Sequence, residues 1–210
     1  GRGAALYRTL LVGHTVLYNV AVGQMKRLVE DGELGRVYSI MAERMSLGRI
    51  RDDVNAMWNL SPHDFSIVLH LLGEMPTRVW AKGGIFLPGS QLHDVVVATL
   101  DFASGALVNV ISSWLNPVKI RRMTVVGDKK MLVYDDVSKD RKIVVYEKSV
   151  DSVPYDDPSG SFATFQHHVR TGGEMVPEFE FREPLAREIA HFVACLAESK
   201  RPRTDGAEGL

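Results

Sequence analysis

The sequence has one cysteine, no long apolar run, no excess of either charge and no glycine-rich phosphate-binding fingerprint. Each absence excludes something. A lone Cys195 permits no internal disulfide and no cysteine-based zinc site, which points to a reducing compartment and a cytoplasmic location. No stretch approaches the ~20 apolar residues of a membrane-spanning helix, so no membrane association is expected. Lys and Arg number 25 against 26 Asp and Glu, with no basic block, so the electrostatic footprint of a nucleic-acid binder is missing. No charged segment precedes an apolar one at the start, so no signal peptide is expected. No G-x-G-x-x-G follows a strand and no Walker loop is present, so nothing here should grip a dinucleotide pyrophosphate. The chain opens Gly-Arg-Gly rather than with Met. Near its other end Asp205 and Glu208 spell a capping box for a helix that does not follow. Both ends are therefore expected to be cut edges.

What remains is an ordinary globular composition: 210 residues, 45% hydrophobic and 24% charged, with a formal net charge of −1. Such a length buries roughly 70–75% of the unfolded chain's surface, ample for a core. Leu10 to Gly13 reads as a short buried strand. Asn19 caps a helix with Val22, Met25, Leu28 and Val29 at helical spacing, stopped at Gly32. Val37 to Met45 reads as a strand, Ser46 to Asp53 as a polar connector and Val54 to Leu60 as a turn or two of helix. Ser61-Pro62-His63-Asp64 then combines an N-cap, a first-turn proline and a capping-box acid, opening a buried helix that ends at Gly73.

From Pro76 the period becomes strand-like. Val79 to Phe86 is one strand. Val95 to Phe102 with Leu107 to Leu115, and Ile120 to Val126 with Met131 to Tyr134, read as hairpins. Lys142 to Tyr146 follows as a strand, and Ser149 to Gly160 reads as a surface loop. Glu178 to Phe181 reads as a last strand. Pro184 opens a helix with Leu185, Ile189, Phe192 and Leu196 on one face. The order implies an α+β fold, with an open, mainly antiparallel sheet and helices on one face.

The candidate chemistry centres on His63, at the second position of its helix. A helix N-terminus disfavours added positive charge, which favours the neutral imidazole a general base requires. The alternative is a histidine that only packs at a helix start. Asp64 is assigned to the cap. Arg49 and Arg51 alternate along the connector and suit bidentate binding of a phosphate or carboxylate, or else are solvated surface charges. Trp58 is either core or a stacking surface, and Asn59 either donates to a hydroxyl or makes a local turn. The other histidines have no third partner at metal-ligand spacing, so no metal site is expected. The face opposite the helices is a candidate for self-association.

Five stretches together resemble the Gfo/Idh/MocA family of NAD(P)-dependent oxidoreductases. They are Leu11-Val12-Gly13-His14-Thr15-Val16-Leu17-Tyr18-Asn19, Glu33-Leu34-Gly35-Arg36-Val37, Asn59-Leu60-Ser61-Pro62-His63-Asp64, Val125-Val126-Gly127 and Pro202-Arg203-Thr204-Asp205-Gly206. The resemblance implies a C-terminal substrate and oligomerisation domain over residues 15–203. Residues 1–14 would be the remnant of the N-terminal Rossmann domain, with Leu10 to Gly13 its last strand. Residues 204–210 would begin a truncated helix. It implies an oxidoreductase of a sugar or nucleotide-sugar hydroxyl, with NAD or NADP bound mainly by the missing domain. The family's Asp, three residues, then His appears here as Asn59 and His63. His63 carries over as the acid/base, Arg49, Arg51 and Trp58 would contact the substrate, and Tyr18 and Asn19 would line the nicotinamide side. A homo-oligomer through the sheet is implied. The alternative on the same fold is a non-catalytic sugar-sensing or oligomerisation module.

Overall fold

The structure, a computed structural model, describes residues 9–155, 164–180 and 182–207. It divides into two compact units, Met25–Glu178 and a second made of Gly1–Gln24 with Phe179–Leu210.

The larger unit is built on an eight-stranded sheet in the order β2-β3-β4-β1-β5-β6-β7-β8. The strands are β1 (Val37–Met45), β2 (Pro76–Gly84), β3 (Val95–Phe102), β4 (Leu107–Ser113), β5 (Ile120–Gly127), β6 (Met131–Asp135), β7 (Ile143–Tyr155) and β8 (Thr164–Met175). Every neighbouring pair is antiparallel except β1 with β4, which run parallel from Ser39–Leu107 to Met45–Ser113. Alternation sorts the side chains. Ile40 and Ala42 of β1, Val96, Ala98 and Leu100 of β3, Val108 and Val110 of β4 and Met123 and Val125 of β5 are buried on one face. Each fully buried Val, Leu or Ile contributes about 1.5–3 kcal/mol of transfer free energy.

Among the described residues the α-helices are α1 (Val20–Glu30), α2 (Ala56–Leu60), α3 (Pro62–Leu72) and α4 (Pro184–Glu198). Asn19 caps α1, its side-chain oxygen accepting from the Ala21 amide at 2.9 Å. Helix α3 buries Ile67, Val68 and Leu71. Among the described residues no helix is long and apolar enough to cross a membrane.

The stretch Val125-Val126-Gly127 has a direct physical reason. The Gly127 amide donates to the Lys130 carbonyl at 3.0 Å, and the Lys129 amide to the Leu34 carbonyl at 3.1 Å. The chain around Leu34 passes so close that a Cβ on residue 127 would collide with its carbonyl oxygen. Gly127→Ala is therefore expected to cost about 1–3 kcal/mol by forcing backbone apart. A shift of the urea midpoint at unchanged m-value checks it.

Several sequence expectations are corrected. Leu10 to Gly13 forms no strand; the Val12 amide donates to the Thr204 carbonyl at 2.6 Å, and no ladder accompanies it among the described residues. Ser149 to Tyr155 is strand, not loop, because it pairs with β8; residues 156–160 of that loop lie outside the described residues. The β8 pairing was not foreseen. Residues 178–180 form no strand, and Phe181 lies outside the described residues. Helix α4 starts at Pro184 as expected, with Glu183 accepting from the Ala186 amide at 2.5 Å. Its Leu185, Ile189 and Leu196 are exposed, while Glu188 and Cys195 are buried.

Candidate active site

The carboxyl ends of the parallel strands β1 and β4 gather three loops. Beyond β1, the Ser46 amide donates to the Ser113 carbonyl at 3.1 Å and the Leu47 amide to the Asn116 carbonyl at 2.7 Å. The Trp114 amide donates to the Asp94 carbonyl at 3.0 Å, tying β4 to the start of β3. The Ala56 amide donates to the His93 carbonyl at 2.9 Å, tying α2 to the same point. Asp94 is fully buried, and its Oδ2 accepts from the Phe86 and Leu87 amides at 2.7 and 3.0 Å, which fixes the loop after β2.

Helix α3 is clamped onto this end by two contacts. The Asp64 carboxylate accepts two hydrogen bonds from the Arg44 guanidinium of β1, Nε to Oδ2 at 2.8 Å and Nη2 to Oδ1 at 2.9 Å. Both side chains are buried. Burial pulls the Arg44 pKa down, but hydrogen bonding and charge from Asp64 outweigh it and hold the guanidinium above its ordinary value. Ser61 and Ser112 of β4 are hydrogen-bonded through their hydroxyls. The capping box expected from Ser61 and Asp64 is therefore not made: Ser61 makes no side-chain cap, and Asp64 turns into the sheet. The buried guanidinium needs a carboxylate more than an exposed amide does. Nearby, Tyr134 donates to the Asp136 carboxylate at 3.0 Å, and burial first, then the Asp136 charge, holds its phenol well above the ordinary range.

His63 lies between these two anchors, half-buried, at the second position of α3. Asn59 lies one turn earlier. Ser61 itself has helical dihedrals, φ −93° and ψ −1°, so α2 runs almost directly into α3 and the two residues fall on successive turns. Trp58 is 74% exposed and so is not core; its amide donates to the Asn55 side chain at 2.8 Å. Arg49 is exposed in the connector. Arg51 is engaged: its Nε donates to Asp53 at 2.7 Å and its Nη2 at 2.5 Å.

Tyr18 and Asn19 belong to the other compact unit and have structural partners within it. The buried Tyr18 ring packs against His191 at 5.5 Å between centroids, with the Arg203 guanidinium 5.3 Å from its centre. Its hydroxyl lies 3.2 Å from Thr204 Oγ1. In the same unit Thr15 donates to the buried Glu188 at 2.5 Å. Arg44 and Asp94 were not singled out from sequence. Arg44 had a signal: it follows Ile40 and Ala42 on the buried parity of β1, where a charge demands a partner.

Among the described residues no group of three or more His, Cys, Asp or Glu is placed to hold a metal ion. The described residues also contain no glycine-rich strand-to-helix turn to seat a dinucleotide's phosphates.

Comparison with known proteins agrees with this architecture. The chain is 24% identical to the uncharacterized oxidoreductase YrbE of Bacillus subtilis over 96% of its length, and spans 57% of that protein. Its fold matches the UDP-N-acetylglucosamine 3-dehydrogenase GnnA from Acidithiobacillus ferrooxidans with a TM-score of 0.75 at 22% identity, covering 99% of this chain and 60% of that one. It also matches the WlbA dehydrogenase from Bordetella pertussis, solved with NADH and UDP-GlcNAcA, with a TM-score of 0.68 at 19% identity, covering 96% and 58%. Residues 22–133 match the model of the GFO/IDH/MocA C-terminal domain, and the chain belongs to that family of oxidoreductases.

Proposed function

We propose that this chain is the substrate domain of an NAD(P)-dependent oxidoreductase that oxidises a sugar or nucleotide-sugar hydroxyl, with His63 as its acid/base. The observation that carries the proposal is the placement of His63. It sits at a helix start fixed by the Arg44–Asp64 and Ser61–Ser112 contacts, at the carboxyl ends of β1 and β4, where ligands of α/β sheets gather. GnnA, a UDP-N-acetylglucosamine 3-dehydrogenase, and WlbA, solved with UDP-GlcNAcA, support the substrate class.

On this proposal His63 accepts the hydroxyl proton and Asn59 orients the hydroxyl by hydrogen bonding. Trp58 offers an apolar wall to the sugar ring, and Arg49 meets a phosphate or carboxylate. The nicotinamide, when bound, supplies the hydride acceptor. The protein is cytoplasmic and self-associates through the sheet. The test is reduction of NAD or NADP by the full-length protein across a panel of UDP-sugars. Absence of turnover with every sugar and both cofactors would overturn the enzyme assignment.

Asn59, standing where the family has Asp, favours a second possibility: a sugar-sensing module that binds without turnover. Calorimetric binding of a UDP-sugar with no cofactor reduction is the outcome that selects it.

A further inference from the structure

Arg121, near the start of β5, stands directly opposite Arg44 of β1. Met123 and Val125, which share its parity along β5, are buried opposite Ala42 and Ile40. Arg121 therefore belongs to the face on which Arg44 holds Asp64 of α3. Residues paired across antiparallel strands have Cα atoms about 4.5–5.5 Å apart. Arg121 is thus one strand from the clamp that fixes the helix start carrying His63. Two cations directly opposite on one face repel unless anions intervene.

The neighbouring carboxylates do not saturate Arg121. Both oxygens of Asp64 are taken by Arg44. Arg121 Nη1 lies 3.6 Å from Asp136 Oδ2, an ion pair beyond hydrogen-bonding distance. The other Asp136 oxygen accepts from the buried Tyr134 at 3.0 Å and lies 3.6 Å from the Lys142 ammonium. Lys142 also donates to the Asp136 carbonyl at 2.9 Å. The Asp136 amide donates to the Arg121 carbonyl at 2.9 Å, which holds the two residues side by side. The cluster sets Arg44, Arg121 and Lys142 against Asp64 and Asp136, an excess of positive charge. Among the described residues the Arg121 guanidinium makes no hydrogen bond, and its side chain is 43% exposed. Arg51 and Arg122 differ, being bonded to Asp53 at 2.7 Å and to Asp135 at 3.1 Å.

We propose that Arg121 binds a pair of anionic oxygens on the substrate, of a phosphate or a carboxylate, at the β5–β6 side of the site. The proposal rests on the reading of His63 given above and adds a residue that selects charged substrates. A guanidinium presents two parallel N–H donors that match such an oxygen pair. Tyr134 and Lys142 take up much of the Asp136 charge, so this carboxylate orients Arg121 without repelling an incoming anion strongly. Arg44, locked to Asp64, adds a fixed positive field beneath the same spot.

The experiment is calorimetry on the full-length protein with saturating NADH or NADPH, so that no ligand enters the cofactor's phosphate site. One ligand is UDP-N-acetylglucosamine, which has phosphates and no carboxylate. The other is glucuronate, which has a carboxylate and no phosphate. Arg121→Ala should weaken one of them roughly 10–100-fold, the worth of a charge-assisted bidentate contact. The ligand that weakens identifies the anion. Arg121→Gln keeps the aliphatic stem and should lose as much, while Arg121→Lys keeps a charge without the fork and should recover part. Circular dichroism should be unchanged in all three. In turnover, Arg121→Ala should raise KM by a similar factor and leave kcat nearly unchanged, which a general loss of structure would not do. Binding that ignores every Arg121 variant, or a protein that binds neither ligand, overturns the proposal. Arg121-dependent binding without any oxidation supports it and sinks the enzyme reading instead. Oxidation with an unchanged KM in Arg121→Ala sinks this proposal alone.

Discussion

His63→Ala in the full-length protein is expected to lower kcat by on the order of 10²–10⁴, the usual worth of a positioned general base. The effect should fall on kcat with KM little changed, because the imidazole's largest contribution comes as the proton moves. His63→Asn separates chemistry from packing: it preserves much of the volume and one hydrogen-bonding edge but cannot take the proton, so it should be as slow as alanine. Near-normal turnover in either variant would count decisively against the role. Asn59→Asp is the companion change. It restores the family's carboxylate one turn before His63, and faster turnover would mean that the native Asn limits proton transfer.

The second large effect concerns stability. Asp64→Ala should destabilise the chain by about 3–5 kcal/mol, because it leaves the Arg44 guanidinium buried without its bidentate partner. Most of that loss is the cost of a lone buried charge, not the strength of the pair. The double variant Arg44→Met, Asp64→Leu should therefore recover most of the stability, and chemical denaturation of both variants measures the difference. If Asp64→Ala and the double variant unfold alike, the pair is not what clamps α3 to β1. Asp64→Ala should also lower turnover in the full-length protein, through the residue next to His63.

Much of this architecture was legible in the residues. Strand β1, the β3–β4 and β5–β6 hairpins and the start of α3 all carried clear signals: alternation, glycine turns and a first-turn proline. These are half-buried elements, whose patterns are written by the core they face. Strand β8 has no such pattern, because from His167 to Met175 it is exposed and burial imposes no alternation. Leu10 to Gly13 failed for the opposite reason: it has a strand's apolar run but, among the described residues, only one backbone partner distant in sequence, the Thr204 carbonyl. At the site, spacing located His63 but misread Asp64. Local sequence favours a capping box, while a partner twenty residues away on β1 claims the carboxylate. Spacing likewise could not show that Asp53 engages Arg51.

The parallel β1–β4 pair, Ser39 with Leu107 through Met45 with Ser113, has a kinetic consequence. It joins segments separated by two helices and two other strands, so its loop-closure entropy must be met before its contacts form. The β3–β4 and β5–β6 hairpins close over short turns and should protect their amides from exchange first. The β1–β4 seam should close late, and with it the end of the sheet where His63 stands. Pulsed hydrogen exchange during refolding would show the β1–β4 seam maturing after the hairpins that flank it.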